Sequence, residues 1–290
     1  DYYASRGLGD VYKRQVLQRL YNLSDDQTEY QINDRMSFMR FLGINLCEKV
    51  PDAKTIWKFK NDLAETETVD KLFCMFDEHL ENKGLISHKG TIVDATFVDA
   101  PRQRNSRDEN KKIKNGVIPE GWEKPENKSK LAQKDIDADW TKKNGERHFG
   151  YKDHVKCDAD SKLITNYSVT SASVHDSQRC LVFIGQEDEV LYADSAYSGK
   201  PIALALPENC KNQICEKGYR NSPLTSEQKM NNRRKSRIRC RIEQIFGFMT
   251  GAMHGITIRS IGITRAWMNI GITNLVYNFC RYSYLKRASA

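Results

Sequence analysis

The sequence predicts a mixed α/β core preceded by a small all-helical domain, and three observations carry that expectation. Apolar residues recur at helical spacing from Val16 to about Gly84, the texture turns to β-branched residues at Thr91, and the later segments run β, β, β, α, β, α. With 290 residues, 39% hydrophobic and 29% charged, the chain has the apolar content of a folded globular protein rather than a disordered one.

Residues 1–15 show no helical or strand period, and the run 5–15 resembles a translated sequencing adapter. The expectation therefore sets 1–15 aside as a non-native segment and starts the fold near Val16. Residues 16–88 form the helical N-terminal domain. Ser24 and Gln27 have capping-box spacing, so a helix starts at Ser24. Pro51 and Asp52 open a second helix with Ile56, Phe59 and Leu63 on one face, and Val69, Leu72, Phe73, Phe76 and Leu80 mark a third that ends at Gly84. The two helices flanking Val50-Pro51 carry Arg35, Arg40, Lys54, Lys58 and Lys60, which suits a DNA-binding helix-turn-helix and equally a bundle with a solvated basic face.

Residues 89–285 form the second domain. Thr91 to Val98 reads as a strand with an acid, Asp94, among Ile92, Val93 and Phe97. Phe149 to Cys157 and Leu163 to Thr170 follow as strands around a turn at 158–161, then a short helix at 177–184, a strand at 189–193 ending at Asp194, a long helix at 226–249 and a final helix from 263 to 284. Residues 102–148 interrupt this core with 13 Lys or Arg and 9 Asp or Glu, a charged insertion too polar to bury itself. Its Trp122 and Trp140 either stack on unpaired bases or pack onto the core.

The formal net charge of +8 favours polyanionic partners such as nucleic acid. No run has the apolar length of a membrane span and no leader pattern is visible, so a cytoplasmic protein is expected. The eight cysteines are scattered without zinc-site spacing and read as reduced, mostly buried thiols.

Asp94 is costly inside an apolar strand unless a cation or hydrogen bonds compensate it, and Asp194 ends an apolar strand where α/β sheets present ligands. Glu243 follows a stretch, 229–241, holding seven Lys or Arg and no acid. Helical spacing turns Ile238, Ile242, Ile245 and Met249 to the core and sets Arg239 and Glu243 four residues apart on a neighbouring face. Three carboxylates suit two-metal phosphodiester chemistry with Mg²⁺, an oxygen-seeking ion. Arg233, Arg234, Lys235, Arg237, Arg239 and Arg241 supply phosphate contacts. Phosphate loops, GxGxxG, HExxH and GxSxG motifs are missing from the sequence.

Three blocks, Ile92-Val93-Asp94-Ala95-Thr96, Tyr192-Ala193-Asp194-Ser195-Ala196-Tyr197 and 239–247 (RCRIEQIFG), closely resemble bacterial insertion-sequence DDE transposases of the insertion sequence five group. The resemblance runs from about Val16 to Arg287 and includes 21–27, 50–57 and the turn 174–177. It implies a ribonuclease-H-like catalytic core, Asp94, Asp194 and Glu243 as catalytic residues and metal ligands, and two Mg²⁺ ions with Mn²⁺ able to substitute. It also implies binding of terminal inverted repeats and target DNA, strand cleavage followed by strand transfer, a homodimer on DNA, and association with the nucleoid. Ser236 and Thr250 stand where the wider group places a Tyr and a phosphate-positioning Lys. His175, Trp122 and Trp140 are secondary site candidates. The competing readings are an inactive DNA-binding remnant and a hydrolytic nuclease of the same fold.

Overall fold

Ser24 caps the N-terminus of a helix, accepting from the Gln27 backbone while the Gln27 side chain accepts from Ser24, the reciprocal box its spacing predicted. That helix belongs to an N-terminal group: α1 (Leu8–Leu20), α2 (Asp25–Asp34), α3 (Met36–Leu42), α4 (Ala53–Glu65) and α5 (Thr68–Asn82). The computed structural model describes residues 8–288 except Asn144, with side chains from Tyr12 onward. Residues 8–15, set aside in the sequence reading, form the first part of α1, where Tyr12 sits edge-on to Phe59 at 5.5 Å and Gln15 is buried. Residues 1–7 lie outside the described residues. Of the proposed helix-turn-helix cations, Lys60 is tied to Asp25 at 2.5 Å.

The sheet comprises β1 (Thr91–Asp99), β2 (Asp139–Lys143), β3 (Glu146–Asp158), β4 (Ile164–Ser171), β5 (Val190–Ala193) and β6 (Lys211–Asn212). β3 pairs antiparallel with β1 from Thr91↔Asp158 to Asp99↔Gly150, and with β4. β5 runs parallel to β1, and β6 parallel to β5. Gly150 adopts φ +147°, and a side chain there would run into the Val98 carbonyl. At this residue β3 leaves the β1 ladder and folds over on β2.

Between β1 and β2 lie α6 (Arg107–Lys114) and α7 (Lys128–Ala132). The expectation that 102–148 cannot bury itself is corrected here. Trp122 is 2% exposed and its indole N–H donates to Glu109 at 3.0 Å, while Ile113 and Ala138 are also buried. The stem of the insertion is β2, pairing with the first residues of β3.

After β4 come α8 (Ser177–Phe183), α9 (Lys200–Ala205), α10 (Ser226–Thr250) and α11 (Ile263–Ala288). The main core joins Phe59, Leu63 and Phe73 of the N-terminal helices to Ile92, Val155, Ile242, Ile245 and Met249, so the stripe predicted on α10 does face inward. A separate cluster holds Leu17, Ile32, Phe38 and Leu42. α11 presses against β4 at Gly271, where any side chain would collide with Tyr167. Val93, Leu191 and Ala193 pack beneath α8 and α9 on the other sheet face. Among the described residues no helix is long and apolar enough to cross a membrane.

Candidate active site

Parallel pairing of β1 with β5 ends at Val93↔Ala193, so Asp94 and Asp194 are the next residues of two adjacent strands. Neighbours of Asp94 in β1 alternate faces: Ile92 belongs to the α10 side and Val93 to the opposite one. Asp94 thus shares the face of Ile92 and points toward α10. Arg239 of α10 donates to Asp94 Oδ2 at 2.9 Å and to Glu243 Oε1 at 2.7 Å. The Asp94 and Glu243 oxygens are therefore separated by no more than one guanidinium and its two hydrogen bonds. The structure brings all three predicted acids to one place.

Each aspartate is fixed by its own backbone. Asp94 Oδ1 accepts the Ala95 N–H at 2.8 Å, and Asp194 accepts from Ala196 N, capping the 3₁₀ turn Ser195–Tyr197. Burial pushes the Asp94 pKa up; the Ala95 N–H and Arg239 pull against it, and nearby Asp194 adds to the rise. Burial alone would lower the pKa of Arg239, but Asp94 and Glu243, with Asp194 behind them, hold it above its ordinary value. Three carboxylates thus face one guanidinium, leaving a local negative surplus. The donors are all carboxylate oxygens, a set that fits Mg²⁺ or Mn²⁺.

The six predicted phosphate contacts divide into two groups. Arg233, Arg234 and Arg237 are exposed and make no ion pair among the described residues. Arg233 and Arg237 border an open groove with Lys229, Asn232 and Ser236 along α10. Lys235 is held by the Ile214 carbonyl at 2.9 Å and Glu216 at 3.8 Å, and Arg241 by the Ala159 carbonyl at 2.6 Å and Asp160 at 3.0 Å. Arg239 lies inside the acidic cluster rather than on its rim. Thr250, at the absent lysine's position, returns its hydroxyl to the Phe246 carbonyl at 2.9 Å.

His175 is exposed and bonds Ser177 Oγ at 2.8 Å, which fastens the start of α8. Trp122 is enclosed and cannot stack on a base. Trp140 is half-buried on Phe149, with Arg102 over its ring. Sequence reasoning missed Lys143, on the insertion hairpin, whose charge reaches Asp94 and lies 5.6 Å over Phe97. Only the pairing of β2 with β3 brings it there.

A second cluster sits at the opposite end of the same strands. His88, Glu187 and Asp188 offer ligand atoms within 4.8 Å of one another. Lys156, however, already reaches Asp188 at 2.9 Å and Glu187 at 3.5 Å, while Thr91 donates to Asp188 at 2.6 Å. That cluster carries its own cation.

A mixed sheet presenting three acids beside a basic helix has the outline of a nucleic-acid-cleaving enzyme. Residues 86–279 match the family described as Transposase DDE domain, and residues 10–62 match the Transposase domain (DUF772). The chain belongs to the DDE transposase family. No solved structure matches it.

Proposed function

We propose that this protein is an insertion-sequence transposase of the insertion sequence five group, with residues 89–285 as a ribonuclease-H-like catalytic domain and 16–88 as its DNA-binding helical domain. It binds terminal inverted repeats and target DNA, cleaves a strand and joins the freed 3′-hydroxyl end to the target, as a homodimer assembled on DNA. The observation that carries this reading is Arg239 bridging Asp94 to Glu243 with Asp194 one strand away.

Asp94, Asp194 and Glu243 would hold two Mg²⁺ ions, which when bound activate the attacking oxygen and stabilise the leaving one. Arg239 orients two of the three carboxylates, and its fork limits their rotation. The Ala95 and Ala196 N–H groups keep one oxygen of each aspartate turned to the backbone. Arg233, Arg234 and Arg237 grip phosphates along α10, and Lys143 places a cation from the insertion beside the site. Incubation with end-labelled duplexes of the element's termini and a target plasmid tests the reading. Nicked and joined products in Mg²⁺, and none in chelator, are expected; hydrolysis without joined products would leave a nuclease, and no cleavage an inactive remnant.

A further inference from the structure

Four cations and two acids, Asp25 and Asp26, line a partly open cavity of about 220 Å³ between the N-terminal helices and the last part of the catalytic segment. Arg19 comes from α1 and Lys60 from α4, while Arg259 comes from the loop after α10 and Arg265 from α11. The two pairs belong to the two separately matched family segments.

Their hydrogen bonds neutralise only one of them. Lys60 pairs with Asp25 at 2.5 Å, and Asp25 also accepts from Gln18 at 2.7 Å. Arg259 gives both terminal nitrogens to Asn22, to its Oδ1 and its carbonyl, each at 3.0 Å. Arg265 donates to Asn61 Oδ1 at 2.8 Å and the Ile261 carbonyl at 3.1 Å. These acceptors are neutral, so they aim the guanidinium groups without balancing their charge.

Arg19 is the exception. It is 6% exposed, its Nε is buried without a partner, and among the described residues its guanidinium has no hydrogen bond and no carboxylate at ion-pair distance. Burial first and Arg259 next, partly opposed by Asp25, lower its pKa to about 10. Lys60 is lowered by burial and also by Arg19 and Arg259. A desolvated guanidinium facing like charges is among the costliest groups a fold can hold unless an anion joins it.

We propose that this seam cavity binds a phosphate oxyanion, with Arg19 as its central ligand and Arg259 and Arg265 at its sides. The planar fork of arginine matches phosphate oxygens, and several such forks converge here. The phosphate comes either from a DNA backbone phosphodiester or from free inorganic phosphate. Thr257, two residues before Arg259, bridges to Asp99 at the end of β1, so the cavity lies off the end of the strand that carries Asp94. The DNA source rests on the transposase reading; the free-phosphate source does not.

Thermal unfolding of the full chain in sodium phosphate and in sodium chloride of equal ionic strength and pH tests the site, beside duplex affinity measured against salt. Wild type should melt higher in phosphate by about 3 °C or more. Arg19→Met should lose that shift while melting no lower than wild type in chloride, because it deletes an uncompensated charge. A purely structural Arg19 would instead make Arg19→Met melt lower in chloride, and the proposal would fall. If the source is the DNA backbone, Arg19→Met also flattens the plot of log affinity against log salt by about 0.9; a phosphate shift with an unchanged slope assigns free phosphate. Arg259→Gln passes through the same two arms should Arg19→Met fail to fold. Wild type melting alike in both salts, together with an unchanged slope in a folded variant, overturns the site. A phosphate shift in a protein that cleaves no DNA keeps the site and removes the transposase reading.

Discussion

The two ends of the β1–β5 strand pair make a natural experiment, since each gathers acids around a cation and only one buries the resulting ion pair. At the lower end Lys156, 8% exposed, is locked to Asp188, 2% exposed, a buried ion pair with Glu187 at its exposed edge. At the upper end Arg239 joins Asp94 to the exposed Glu243 beside Asp194, with Lys143 also acting on Asp94. Proximity of carboxylates therefore says little about metal binding until the burial of their resident cations is weighed.

The sharpest break between the two ends is catalytic. Asp194→Asn or Glu243→Gln should lower strand cleavage by about 10³-fold or more while duplex binding, read by anisotropy, holds or tightens. Cleavage near the wild-type rate would remove that residue from the site. Loss of binding and solubility together would make the acid structural.

Next in size, Lys156→Met should destabilise the chain by about 3 to 5 kcal/mol in urea unfolding, because it strands Asp188 in the interior. Millimolar Mg²⁺ should restore part of that stability in the variant and not in wild type. A loss under about 1 kcal/mol would show that the lower cluster does not depend on its lysine.

Asp153 adds a third, wholly enclosed carboxyl, on the strand between these ends and α11. Its Oδ1 accepts from Asn274 at 3.1 Å, and its Oδ2 and the Asn274 Oδ1 both lack partners. Burial raises its pKa to about 7, and the proton it keeps can be donated to Asn274. A raised carboxyl pKa means this stability is whole below the unfolded value near 4 and is lost as pH climbs to about 7. Asp153→Asn preserves the pairing without titrating, so the gap between variant and wild type should widen by about 3 kcal/mol from pH 4 to pH 8. Parallel stability curves across that range would show that Asp153 ionises normally.

The smallest effect concerns the exposed cations. Replacing Arg233, Arg234 and Arg237 with Ala should flatten the salt dependence of duplex affinity by up to about 0.9 for each DNA phosphate left without its cation, with no change in melting. Lys235→Ala should do the reverse, since its side chain holds the 214–216 segment to α10.

Local signals in the sequence survived folding well. The Ser24 box, the β1 strand and the Ile242, Ile245 and Met249 stripe are properties of short windows, and they appear where expected. The insertion misled because β2 is polar along its length and owes its existence to pairing with β3, and because Trp122 is enclosed by charged side chains such as Glu109, Lys130 and Lys134. The three acids were legible as chemistry, and the resemblance implied their meeting; the strand order that brings it about was not legible. Arg239 read as a phosphate contact because one-dimensional spacing cannot tell a cation on the rim of a site from one inside it. The seam cavity was invisible for the same reason, its arginines lying in segments that meet only when α11 folds back over α1.

Asn278 of α11 donates to the Ile164 carbonyl at 2.7 Å and accepts the Ile164 N–H at 2.9 Å. It thereby imitates the next strand of the sheet at the start of β4, beside the 158–161 turn. A strand with open backbone groups is a template on which a second molecule can polymerise. By spending one amide on that corner, α11 closes one pair of backbone groups that the edge of β4 would otherwise leave open.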